Sequence, residues 1–222
     1  SLPNYMEGIN ERVLPVVDTS GSMTSSVGGN GNVTCMDVST SLGLYISERN
    51  EGVFKNAFIT FSHRPKLQLL EGSLADRLKQ LERAEWGMNT DLQATFKLVL
   101  DQAVKHNVPV SDMPTKVLIL SDMEFDTAIS GNWDSVSEWN PTAQEMIKGM
   151  YEEAGYKMPG IVYWNIQSRH DTVPTRFDEM GTALVSGFSP SIMKSILSCQ
   201  DMTPYNMMME TIGSARYETI RI

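Results

Sequence analysis

Residues 13–23 read V-L-P-V-V-D-T-S-G-S-M, and this stretch limits the possible folds more than any other. An apolar run, Val13 to Val17, continues without a break and stops at Asp18. A run of this kind, bounded by turn residues, reads as a strand buried on both faces. Such strands belong to parallel sheets covered by helices, and ligands of open sheets bind beyond the carboxyl ends of the strands. Asp18 falls at such an end. Ser20 and Ser22 follow at alternate positions in a Gly-containing turn, so both hydroxyls can face one point.

One carboxylate and two hydroxyls form a hard, all-oxygen half-site. No His or Cys lies nearby, which disfavours zinc. A small divalent cation fits better: Mg²⁺ first, with Mn²⁺ or Ca²⁺ as alternatives, because these ions take oxygen ligands and keep some of their water. Completing the coordination requires oxygens from elsewhere in the chain.

D-x-S-x-S after a buried strand resembles the metal-ion-dependent adhesion site of von Willebrand factor A (vWA) domains. That family adds a Thr from a later loop and an Asp after a central strand. Both occur here in order, Thr90 in W-G-M-N-T-D-L and Asp122 at the end of K-V-L-I-L-S-D. The matching positions are therefore Asp18, Ser20, Ser22, Thr90 and Asp122. The resemblance covers Glu11 to about Ile220. It implies a three-layer α/β/α, Rossmann-like fold with a six-stranded, mostly parallel sheet and one antiparallel edge strand. It also implies roles. Ser20 and Ser22 would bind the ion directly, Asp18 and Asp122 directly or through water, and Thr90 in either way. The last position would go to a Glu or Asp carboxylate of a partner protein. S-D-M-E-F-D is most similar to the vWA-like domains of uncharacterised intracellular proteins and of Ro ribonucleoprotein autoantigens. Two departures stand out. Met123 occupies the position where the family usually has Gly, and Met88-Asn89 precede Thr90 where Gly-Gly is frequent.

With 222 residues the chain can build one α/β domain with a full core, spanning 1–222 with residues 1–10 as an N-terminal extension. Ser1 opens the chain without Met, which suits a domain excised from a longer protein. No run approaches a membrane span, and no signal-peptide pattern is present, so the expected setting is the cell interior. A net charge of −9 opposes direct nucleic-acid binding and suits a chain that gathers cations. Cys35 and Cys199 form no C-x-x-C pair and read as reduced, buried thiols.

Along the chain, the pattern predicts β-α-β-β-α-α-β-α-β-β-α-α. Residues 25–32, rich in Gly and Asn, read as an irregular surface loop near Ser22. The first helix spans Cys35 to Arg49, capped by Thr34 with Asp37. Val53 to Ser62 reads as a buried strand and Lys66 to Leu70 as the antiparallel edge. Ser73 to Ala84 is a short helix with Leu74, Leu78 and Leu81 on one face, capped by Ser73 with Asp76. Leu92 to His106 is a helix with Thr90 just before it, Lys116 to Leu120 a strand, and 123–141 a long rim loop. Pro141 to Ala154 is a helix, Gly160 to Gln167 and Thr182 to Gly187 are strands, and Ser189 to Ser198 and Thr203 to Ser214 are closing helices. Met207-Met208-Met209 reads as a buried helix face.

Glu124, Asp126, Trp133, Trp139 and His170 fall on the expected rim, either as second contacts of the ion and partner or as solvated charges and loop anchors. The leading function is a divalent-cation-dependent protein-binding module, not an enzyme. A Mg²⁺-dependent phosphohydrolase is the enzymatic alternative, weakened by Ser20 standing where a second Asp would be needed. An RNA-associated scaffold is the third reading, by analogy with the Ro proteins alone.

Overall fold

The strands are β1 (Val13–Asp18), β2 (Ala57–Phe61), β3 (Lys66–Leu69), β4 (Lys116–Ser121), β5 (Gly160–Asn165) and β6 (Thr182–Ser186). They form one sheet in the order β3-β2-β1-β4-β5-β6. Every neighbouring pair is parallel except β2 with β3, which runs antiparallel at the edge. The helices are α1 (Cys35–Arg49), α2 (Leu74–Glu82), α3 (Leu92–Lys105), α4 (Pro141–Glu153) and α5 (Pro204–Ile212). This computed structural model describes residues 4–6, 11–27, 31–61, 65–82, 92–122, 141–167, 182–186, 193, 196–197 and 204–213.

All residues of β1 and of β4 are buried, as unbroken apolar runs require. Alternation along each strand divides the core between the two faces. Val13, Val17, Leu118, Leu120 and Trp164 face α1, with Leu44 and Ile46 among the packed residues. Leu14, Val16, Val117, Ile119 and Tyr163 face α3 and α4, against Phe96, Val99 and Tyr151. The architecture is the vWA-like, mostly parallel α/β/α sandwich. β1 and β4 lie at its centre, so their carboxyl ends meet side by side.

Local signals decide several element boundaries. Thr34 and Asp37 form a reciprocal cap on α1: the Thr34 amide donates to Asp37 Oδ2 at 2.9 Å, and the Asp37 amide donates to Thr34 Oγ1 at 3.1 Å. Ser73 and Asp76 make the same pair of bonds at α2, at 3.0 and 3.3 Å.

Other expectations need correction. The second strand starts at Ala57, not Val53. Gly52 to Phe54 form a 3₁₀ turn, and Gly52 and Asn56 adopt positive φ angles of 68° and 59°, which an extended strand excludes. Ser26 and Val27, expected in an irregular loop, pair with the segment before α1, and residues 28–30 of that expected loop lie outside the described residues. Ser26 bridges Thr34 in antiparallel fashion, and the Val27 amide donates to the Val33 carbonyl at 2.9 Å. Met208 and Met209, expected on a buried face, are 50% and 43% exposed, and the Met207 side chain lies outside the described residues. Three consecutive helical residues spread over more than half a turn, so they cannot all point inward. Leu74 and Leu78 are exposed as well, and Leu81 alone of that face is buried. The last strand and α4 follow their expected spans closely.

Candidate metal site

β1 delivers Asp18 to the carboxyl edge of the sheet, where it is 1% exposed. Val17 pairs with Leu120, so the next residues, Asp18 and Ser121, lie side by side. After Asp18 the chain makes a 3₁₀ turn over Gly21–Thr24, closed by the Met23 amide donating to the Ser20 carbonyl at 3.2 Å. That turn brings the Ser20 and Ser22 hydroxyl oxygens within 3.0 Å of each other. Their alternate spacing in sequence thus becomes a shared direction in space.

Asp18 is held at both oxygens. The Ser20 amide donates to Oδ1 at 2.8 Å, and the Ser121 hydroxyl donates to Oδ2 at 2.6 Å. Asp122, the residue after β4, is 3% exposed. Burial pushes the Asp18 carboxyl above its ordinary value of 3.8, against the lowering effect of the Ser121 hydroxyl and of the Ser20 amide and hydroxyl. The neighbouring Asp122 charge pushes in the same direction as burial. Two buried acidic side chains thus lie close enough at the ends of β1 and β4 for one to act on the other.

The donor set fits a hard divalent cation. Carboxylate and hydroxyl oxygens suit Mg²⁺ or Mn²⁺, and a divalent charge would offset the like-sign repulsion between Asp18 and Asp122. Among the described residues, no group of three or more His, Cys, Asp or Glu side chains could hold a metal. Among the described residues, the oxygens at this edge are those of Asp18, Asp122 and the Ser20 and Ser22 hydroxyls, so a cation held by them would draw on hydroxyls as well as carboxylates. The structure brings together Asp18, Ser20 and Ser22, with Asp122 close enough to act on Asp18. Thr90, Glu124, Asp126, Trp133, Trp139 and His170 lie outside the described residues, as do Met88, Asn89 and Met123.

Two residues at this crevice were not read from the sequence as site residues. Ser121 is fully buried and fixes Asp18; a lone hydroxyl closing the apolar run V-L-I-L is the available signal. Met23, also fully buried, accepts a hydrogen bond from the Asp122 amide through Sδ at 3.2 Å. Nothing in the sequence marks a methionine for that role. Gln167 donates from Nε2 to Ser25 Oγ at 2.9 Å, tying the segment after β5 to the residue before the Ser26–Thr34 bridge. Cys35 is buried, and its amide donates to the Ser25 carbonyl at 2.9 Å.

A family described as a domain of unknown function, DUF7788, matches residues 12–218. The chain belongs to the DUF7788 family. The match takes in all six strands of this DUF7788 domain and the whole candidate site. The domain is 28% identical over 207 residues to the uncharacterised protein L728 of Acanthamoeba polyphaga mimivirus, covering 92% of this chain and 34% of that protein. The chain thus spans about a third of the length of that relative. Among solved structures, the Ro (RSR) protein of Deinococcus radiodurans superposes with a TM-score of 0.55 at 16% identity, over 85% of this chain and 34% of that one. The vWA domain of SpRpn10 gives a TM-score of 0.47 at 12% identity, over 84% and 93%. Among the described residues, no helix is long and apolar enough to cross a membrane.

Proposed function

We propose that this DUF7788 domain is a divalent-cation-dependent protein-binding module. The observation that carries the reading is the buried Asp18, pressed by the like charge of Asp122 and set beside the paired Ser20 and Ser22 hydroxyls at the sheet's carboxyl edge. Asp18, Ser20, Ser22 and Asp122, with Thr90, would hold Mg²⁺ or Mn²⁺. Bound there, the ion would supply an electrophilic centre for an incoming carboxylate.

The residues themselves divide the work. Ser20 and Ser22 present neutral oxygens, which leave much of a cation's charge unneutralised and so favour an acidic residue from a partner protein. Asp18, fixed at both oxygens, sets the position of the turn. That double restraint suits a positioned ligand better than a free phosphoryl acceptor, which weighs against a phosphohydrolase. The net charge of −9 weighs against direct contact with RNA. We place the module inside the cell, as one domain of a longer protein.

A binding assay against a panel of Glu-containing peptides, run in Mg²⁺ and in EDTA, tests this. Retention that needs both the cation and Asp18, and disappears in Asp18→Ala, supports the reading. Retention unchanged in EDTA would remove it.

A further inference from the structure

Two hydrogen bonds cross between the end of β4 and the Asp18–Met23 turn. The first, from Ser121 to Asp18, joins residues 103 apart in sequence. The second runs from the Asp122 amide to Met23 Sδ and joins residues 99 apart. They lie on consecutive residues of β4's exit and on opposite ends of the turn that carries Ser20 and Ser22. Each end of the hydroxyl pair is therefore tied to the segment bearing Asp122.

Met23 is an unexpected partner. A thioether is a weak acceptor, and a buried amide normally finds an oxygen. Met23 is fully buried in the core on the α1 side of the sheet, beside Leu118, Leu120 and Trp164. Packing there restrains its sulfur, which accepts from the Asp122 amide in a buried setting. The backbone of Asp122 is thereby held at a set distance from the turn, and its carboxylate with it.

We infer that Met23 is a positioning residue of the cation site: its thioether fixes Asp122 against the turn that bears Ser20 and Ser22. This rests on the cation-binding reading and adds a residue that does not touch the ion. Leucine conserves volume and burial but has no acceptor, so Met23→Leu isolates the sulfur.

The test is Mn²⁺ affinity measured by electron paramagnetic resonance on wild type, Met23→Leu and Met36→Leu. Met36 belongs to the same core cluster and serves as the packing control. Met23→Leu should bind roughly three- to tenfold more weakly, at or below the low end of the effect of losing an outer-shell partner. Met36→Leu should bind like wild type. Equal affinity in Met23→Leu and wild type overturns the role of Met23 and leaves the site standing, whereas no binding by wild type overturns the site itself. If Met23→Leu does not fold, amide exchange in metal-free wild type decides. Protection of the Asp122 amide comparable to that of Leu120 supports the bond, and fast exchange refutes it.

Discussion

Ser121 donates its hydroxyl to Asp18 Oδ2 at 2.6 Å, across the junction of the two central strands. Both residues are buried, and both stand on the last rung before the chain leaves the sheet. The bond orients the Asp18 carboxylate toward the Ser20–Ser22 turn and offsets part of the destabilisation that burial imposes on its charge. Ser121→Ala should lower stability by about 1–3 kcal/mol at neutral pH, the effect of leaving a buried charged acceptor short of a donor. Divalent affinity should fall roughly tenfold with it. Thermal unfolding and Mn²⁺ titration of the same preparation check both, and an unchanged affinity would show that Asp18 needs no orienting partner.

Asn50 performs the work of a neighbouring strand at the other end of β1. Its side chain donates to the Val13 carbonyl at 2.7 Å and accepts from the Val13 amide at 3.2 Å. β2 begins pairing with β1 only at Val16, so this amide closes the gap. Asn50→Ala leaves two buried backbone groups without partners, and should cost about 2–4 kcal/mol. Denaturant unfolding measures it; a loss below about 0.5 kcal/mol, the size of an ordinary surface change, would mean that water replaces the side chain.

Gly43 sets how closely α1 approaches the sheet. A Cβ there would sit 2.7 Å from Phe58 Cε2 and 2.9 Å from Val17 Cγ2, both on buried, packed side chains. Gly43→Ala should destabilise by about 1–3 kcal/mol through overpacking, outweighing the gain in helix propensity. Gly149, with open space around its Cβ position on α4, is the internal contrast: Gly149→Ala should be neutral or stabilising. Equal effects of the two substitutions on the melting temperature would contradict the close contact.

The cap on α1 carries a pH signature. The Thr34 amide, then its hydroxyl, hold the Asp37 carboxyl below its ordinary value of 3.8. A depressed folded value means that the contribution is complete above the unfolded value and is lost as pH falls through the folded one. Thr34→Ala should cost about 0.5–2 kcal/mol at neutral pH. The gap between variant and wild type should narrow below the ordinary carboxylate range. Parallel stability measurements from neutral to strongly acid pH check this, and a gap that widens in acid would refute it.

What the sequence disclosed follows the range of each interaction. Thr34 with Asp37 and Ser73 with Asp76 lie three residues apart, so their caps were readable directly. Asp18 at a strand end was readable because one unbroken apolar run stops there. β2 begins four residues later than its apolar run suggests, because the left-handed angles at Gly52 and Asn56 leave no trace in an apolar pattern. Met208 and Met209 are exposed where the apolar run reads as a buried face, since apolar character does not say which helix face finds a partner. The Ser121–Asp18 and Met23–Asp122 bonds span about a hundred residues, and only the packed sheet brings those pairs together.

Isothermal titration of the folded chain with Mn²⁺, beside Asp18→Asn, tests the cation site most directly. Asn keeps the shape of Asp18 and removes the charge that a hard cation requires. Wild type should bind one ion saturably, with Asp18→Asn weaker by at least about tenfold. Heat-free titration of folded wild type up to millimolar Mn²⁺, or identical binding by the two proteins, would contradict it.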